Sequence, residues 1–150
     1  MERHASDSGT QIAAEATILA VLGEALGVPL AQGTTFPVGA ARVHPDGVDP
    51  DGSVFVEVFA HIGPLKGGQR HKVSTDALKL LAIRETRPEA RLILAFADEA
   101  AAASVSGWRA EVLGRNGIEI RVVPLSQEDR GKVDAAQSRQ KMINPRAEPR

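Results

Sequence analysis

One stretch constrains the fold more than any other. Asp49-Pro50-Asp51-Gly52 lies between an apolar-rich run that starts at Val43-His44-Pro45-Asp46-Gly47-Val48 and a second run, Val54-Phe55-Val56-Glu57-Val58-Phe59. Proline presets φ, aspartate bonds nearby backbone, and glycine accepts φ > 0, so these four residues predict a tight turn between two strands. Asp49 and Asp51 then read as turn residues. Folding one run back on the other brings Asp46, near the end of the first strand, close to Glu57, in the middle of the second.

The second strand is expected to run to about Ile62. Val54, Val56, Val58 and Ala60 point one way and Phe55, Glu57, Phe59 and His61 the other. Both faces are largely apolar, which predicts a central strand covered on both sides. Glu57 is therefore a carboxylate set among Val and Phe, costly unless it is paired or holds a metal. The plain structural reading is a buried salt bridge, for example to Lys72.

The flanking elements follow from periodicity and punctuation. Thr10 is expected to cap a helix over Gln11–Leu26, with Ile12, Ala16, Leu19 and Gly23 on one face and Gly27 ending it. Phe36–Val43 reads as a strand, irregular at Pro37 and Gly39. Gly63-Pro64-Leu65-Lys66-Gly67-Gly68 breaks the chain before a helix over Gln69–Arg87, stopped by Pro88. Val73, Ala77, Leu80 and Leu81 form its core face, with Gln69, Lys72, Asp76 and Lys79 along the flank. Arg91–Ala97 is a strongly apolar strand. Asp98 or Ser104 is expected to cap a helix to about Leu113 that carries Trp108, read as core or interface. Ile118–Val123 is the last strand. Alternation of strand and helix after residue 68 predicts parallel crossovers. The division expected is a disordered N-terminus over 1–9, one domain over 10–125, and a C-terminal helix to about Met142 with a flexible tail over 126–150.

Composition bounds the function classes. At 150 residues, with 43% apolar and 25% charged residues, one soluble domain is expected. There is no cysteine, which excludes disulfides and thiolate metal sites. No apolar run approaches a membrane span and the N-terminus has no apolar signal core, so a cytoplasmic protein without a membrane partner is expected. No histidine pattern suits zinc and no Gly-rich phosphate loop is present.

The net charge is −1, so there is no global field, but charge is unevenly placed. From His61 to Arg91, Lys66, Arg70, Lys72, Lys79, Arg84, Arg87 and Arg91 stand against Asp76, Glu85 and Glu89, a local excess of four positive charges. Such a patch suits phosphate-backbone contacts, with Arg70 and Lys79 as candidates, and Gly67-Gly68 allows close approach at a helix N-terminus.

The element order, with Pro45-Asp46 and then Glu57 eleven residues later, resembles the PD-(D/E)xK, or restriction-endonuclease-like, nuclease superfamily over roughly residues 10–124. The resemblance implies an α/β fold with an αβββαβ core: a central mixed sheet flanked by helices. It implies Mg²⁺ or Mn²⁺ held by Asp46, Glu57 and the backbone carbonyl of Val58, with hydrolysis of nucleic-acid phosphodiesters, DNA before RNA, and a homodimer whose interface is expected on the last helix or tail. The family lysine two residues after the glutamate is Phe59 here. The resemblance then asks for a lysine from elsewhere: Lys72, with Gln69 beside it, or Lys66. Glu15 matches a helix-one acid that assists metal binding in some branches, and His61 is a candidate phosphate or water contact. Without a working lysine, the same fold is a catalytically inactive module for nucleic-acid or protein binding.

Overall fold

The computed structural model describes the backbone over residues 2–143 and side chains over residues 9–139. The expected flexible end, Pro145 to Arg150, lies outside the described residues. The order is α1 (Glu2–Leu26), β1 (Phe36–Val38), β2 (Ala41–Val43), β3 (Gly47–Val48), β4 (Val54–Phe59), α2 (Gly67–Thr86), β5 (Arg91–Phe96), α3 (Glu99–Ala103), α4 (Gly107–Arg115), β6 (Ile118–Val122) and α5 (Gln127–Ile143).

A mixed four-stranded sheet, ordered β3-β4-β5-β6, forms the centre. β3 and β4 are antiparallel, with Gly47 opposite Val56, while β4, β5 and β6 run parallel. All six residues of β4 are buried, as its two apolar faces predict. Phe55 and Phe59 join α2, α3 and α4 in one core cluster; Val54, Val56 and Val58 join α1 and α5 in the other. Each fully buried large side chain contributes about 1.5–3 kcal/mol by leaving water. The fold is thus α/β, a mixed sheet with helices on both faces.

Three expectations are corrected, and the core half of a fourth. α1 starts at Glu2, so residues 2–9 are helical and Thr10 lies inside the helix rather than at its cap. The polar N-terminal residues carry no apolar period to signal this, yet extending a formed helix costs little per residue. The Phe36–Val43 segment is a separate small hairpin, with Phe36 opposite Val43, because the chain reverses at Gly39-Ala40. The third helix is two: α3 ends at Ser104 and α4 starts after Ser106, because buried Val105 draws the chain inward between them. Trp108 is 68% exposed and belongs to neither core cluster.

Other punctuation behaves as the residues dictate. Gly27 takes φ 74°, which a side chain resists, and the Val28 N–H closes α1 on the Gly23 carbonyl at 3.0 Å. α5 packs its Val133 and Ala136 into the α1 side of the sheet, and Gln137 brackets the Ile62 backbone, accepting its N–H at 2.7 Å and donating to its carbonyl at 3.2 Å.

Gly47 decides how closely the hairpin can approach α1. A Cβ there would fall on the isobutyl group of buried Leu19. Gly47→Ala is expected to cost about 1–3 kcal/mol through overpacking. In urea unfolding the midpoint should fall with an unchanged slope; an unchanged midpoint would show that Leu19 yields freely.

Candidate functional site

The acids predicted from the hairpin do meet. β3 ends after two residues, so β4 has an open edge beyond Val56. Asp46, just before β3, reaches across that gap, and its Oδ2 accepts the Val58 N–H at 2.8 Å. Successive residues of a strand turn their N–H and C=O groups to alternate sides. Phe59 gives its carbonyl to the Ala97 N–H on the β5 side, so the Val58 carbonyl turns toward the open edge with Asp46.

Glu57 points to the α2 side of the sheet and is 1% exposed. Lys79 of α2 brings its Nζ to 2.8 Å from Glu57 Oε1. That oxygen nevertheless accepts no hydrogen bond of ordinary geometry, so the contact is Coulombic rather than directed. Lys79 also donates to the His44 carbonyl at 3.3 Å and lies 3.9 Å from Asp76 Oδ1. Burial, then a shared hydrogen bond and charge repulsion from Asp46, push the Glu57 carboxyl up to about 9, against the pull of Lys79. Burial works against the Lys79 ammonium, but Glu57, Asp76 and Asp46 outweigh it and hold its pKa above the usual lysine value. Burial and Asp46 both act on Glu57 and keep its carboxyl protonated to higher pH, while Lys79 remains a quarter exposed.

Glu15 approaches from the other face. Burial and the nearby Asp46 raise its pKa, while Gln11, donating from Nε2 at 3.3 Å, and Lys72 work the other way. α1 and α2 thus add the charges of Glu15 and Asp76 to the surroundings of the Asp46–Glu57 pair.

Lys72, the first candidate for the lysine that the resemblance asks for, does not reach Glu57. Its Nζ bonds Asp76 Oδ2 at 2.8 Å and sits 4.4 Å from the Phe59 ring centroid. Lys79, two helical turns on, is the lysine on the glutamate. Sequence reasoning had it on the right face of α2 but as a phosphate contact, and had Asp76 only as a flank residue. The i, i+4 and i, i+7 spacing of Lys72, Asp76 and Lys79 was the available signal; how far along β4 the helix descends was not.

Gln69 and Lys66 brace the approach to α2. The Lys66 N–H donates to Gln69 Oε1 at 3.0 Å, and Gln69 Nε2 lies 3.1 Å from His61 Nδ1. His61 Nε2 is 3.2 Å from the Pro64 carbonyl. An imidazole that donates from Nε2 and accepts at Nδ1 satisfies both contacts. His61 is thus built into the loop after β4, not into its Glu57 face. Arg70 and the Lys66 side chain are exposed near the α2 N-terminus.

The rest of the basic excess is dispersed. Arg84 binds the Asn116 and Gly117 carbonyls, Arg87 lies 5.7 Å from the Phe36 ring centroid, and Arg91 makes a two-pronged pair with Glu119 at 2.8 and 2.9 Å. These three serve the far end of α2 and its neighbours, so the seven cations do not form one patch.

The donor set suits a hard cation. Asp46 and Glu57 are oxygen donors side by side, the Val58 carbonyl faces the same edge, and Glu57 Oε1 is a buried oxygen without a hydrogen bond. Mg²⁺ commonly takes one or two carboxylates and keeps several waters. Among the described residues, no three His, Asp or Glu side chains converge to hold a metal by themselves. Comparison with protein-family models, with curated proteins and with solved structures found no match to this chain.

Proposed function

We propose that this chain is a metal-dependent nuclease with a restriction-endonuclease-like core, hydrolysing nucleic-acid phosphodiesters, DNA before RNA, with Mg²⁺ or Mn²⁺. The observation that carries the reading is Lys79 Nζ at 2.8 Å from Glu57 Oε1, with Asp46 beside it at an open strand edge. Two carboxylates and one lysine are the parts such a site needs, and the lysine missing at Phe59 is supplied from α2. The order α1, β3, β4, α2, β5 follows part of an αβββαβ core, while β1 and β2, expected as its first strand, pair apart from the central sheet.

In this reading Asp46, Glu57 and the Val58 carbonyl would hold the cation, which would supply Lewis acidity toward the phosphodiester and the attacking water. Glu57 would bind it as the carboxylate, its proton passing to solvent. Lys79 would then be released from Glu57 to stabilise the negative charge that develops on the phosphoryl oxygens. Glu15 supports the cation's charge from α1. Arg70 and Lys66, exposed near the start of α2, contact the backbone phosphates.

A second reading, an inactive module of the same fold that binds nucleic acid or protein, draws on Phe59 and on the pairing of Lys79 with Glu57. A cleavage assay with Mn²⁺ on DNA and RNA separates the two. We expect cleavage by the wild type, loss of about 100-fold or more in Glu57→Ala and Lys79→Ala, and activity within a few-fold in Lys72→Ala. Equal loss in Lys72→Ala with Lys79→Ala active would return the role to Lys72. No cleavage by the wild type on either polymer would leave the binding module.

A further inference from the structure

We propose that two copies of this chain join through the free edge of β6, making one eight-stranded sheet across a two-fold axis at Ile120. This rests on the sheet alone and is independent of the nuclease reading.

β6 ends the sheet order, and among the described residues no strand pairs with its outer side. The Val123 N–H donates to the Phe96 carbonyl at 2.8 Å. By alternation, the N–H and C=O groups of Glu119 and Arg121 also turn toward β5, and those of Ile118, Ile120 and Val122 turn outward. Natural sheets blunt such edges with charged side chains, lysine above all, with proline, bulges or very short strands. β6 has five residues, neither proline nor lysine, and two charges of opposite sign, Glu119 and Arg121. The opposite edge is treated differently: β3 is two residues long, and Ala31 covers Val48 with hydrogen bonds of 2.9 and 3.0 Å.

The sequence of β6, Ile118-Glu119-Ile120-Arg121-Val122, is complementary to itself when reversed. Antiparallel pairing centred on Ile120 puts Ile120 opposite Ile120, Ile118 opposite Val122, and Glu119, whose carboxylate also holds Arg91 of its own chain, opposite Arg121 of the second copy, twice over. The outward N–H and C=O groups fall on the three apolar pairs, so every one of them finds a partner. The charged pairs fall at the closer, non-hydrogen-bonded positions, where opposite charges across strands attract. Ile120 and Val122 are 37% and 40% exposed, so apolar surface remains on this edge for the second copy to cover. The Arg121 side chain makes no hydrogen bond or ion pair among the described residues and acts as a positive charge near Glu119. An edge prone to indiscriminate pairing would carry no such charge register; this one selects its own copy.

Of the last helix, where with the tail the interface was expected, the described Val133 and Ala136 pack into the α1 side of the sheet.

Light scattering over a dilution series tests the interface. The wild type should show twice the 15.9 kDa chain mass. Ile120→Pro removes an outward N–H while sparing the β5 ladder, and Arg121→Glu sets like charges opposite each other; both should show the single-chain mass. Mixing Arg121→Glu with Glu119→Arg recreates opposite charges at both positions and should restore the doubled mass. If Ile120→Pro unfolds, Arg121→Glu, a surface charge change, decides alone. A wild type of single-chain mass at all concentrations, or an Arg121→Glu variant of doubled mass, overturns the proposal.

Discussion

Asp49→Ala is expected to lower the unfolding free energy by about 3 kcal/mol, which for a chain of this size is roughly 6–12 °C in Tm. The carboxylate is the internal scaffold of the β3–β4 turn. Its Oδ1 accepts the N–H groups of Ser53 at 2.7 Å and Val54 at 2.9 Å, and its Oδ2 accepts the Ser53 hydroxyl at 2.5 Å. Alanine strands the buried Val54 N–H and frees the turn that sets the hairpin register. Asparagine keeps the oxygen facing the two N–H groups and should cost about half as much. Burial acts to raise the Asp49 pKa, but the Ser53 hydroxyl and the two N–H groups outweigh it and hold the carboxyl below its usual range. The unfolded state therefore takes up the proton first as pH falls. The wild type should lose this stability below about pH 4, and Asp49→Ala should lack that acid limb. An alanine variant as stable as the wild type at pH 7 would show that Pro50 and Gly52 make the turn unaided.

The hairpin was legible because its signals are local. A turn tetrapeptide and a two-residue alternation act within a dozen residues, and they placed Asp46 and Glu57 together and β4 at the centre of the sheet. The splitting of 36–43 into β1 and β2 was less legible, since Gly39 marks both a turn and an irregular strand. The division of α3 from α4 depended on Val105 packing into the core under the helices, a tertiary demand that the three small residues around it do not announce.

The site's lysine shows the same boundary. Periodicity put Lys72 and Lys79 on one face of α2, but which of them stands beside Glu57 depends on how the helix is laid along the strand. That depth is set by the loop from Ala60 to Lys66, whose path is held by Asp98 on the Gly63 N–H at 2.8 Å and Ser104 on the Leu65 N–H at 2.9 Å. Neither tether is readable from spacing. The Lys72 ammonium sits over the Phe59 ring, and the ammonium beside Glu57 comes from Lys79, two turns further along α2.

Glu57→Gln is expected to remove the largest pH dependence in the fold. Folded, the Glu57 carboxyl titrates at about 9; unfolded, it returns to about 4.5. Between those values the folded state holds a proton that the unfolded state has released, so stability falls as pH rises through the window. The wild type should therefore be a few kcal/mol more stable at pH 5 than at pH 9. Glutamine imitates the protonated acid, donating toward Asp46 and presenting an oxygen to Lys79, so its profile should be nearly flat over the same range and its Tm at pH 9 above that of the wild type. A glutamine variant with the wild-type slope would assign that slope to another group, with Glu15, raised by burial and by Asp46, the first to test. The same variant separates the charge argument from the metal argument. A cation between Asp46 and Glu57 favours the ionised carboxylate and binds only the folded state, so Mn²⁺ at pH 8.5 should raise the Tm of the wild type and leave Glu57→Gln unmoved. Equal shifts in both proteins, or none in either, would sink the metal reading while the pH profile of the buried acid stood.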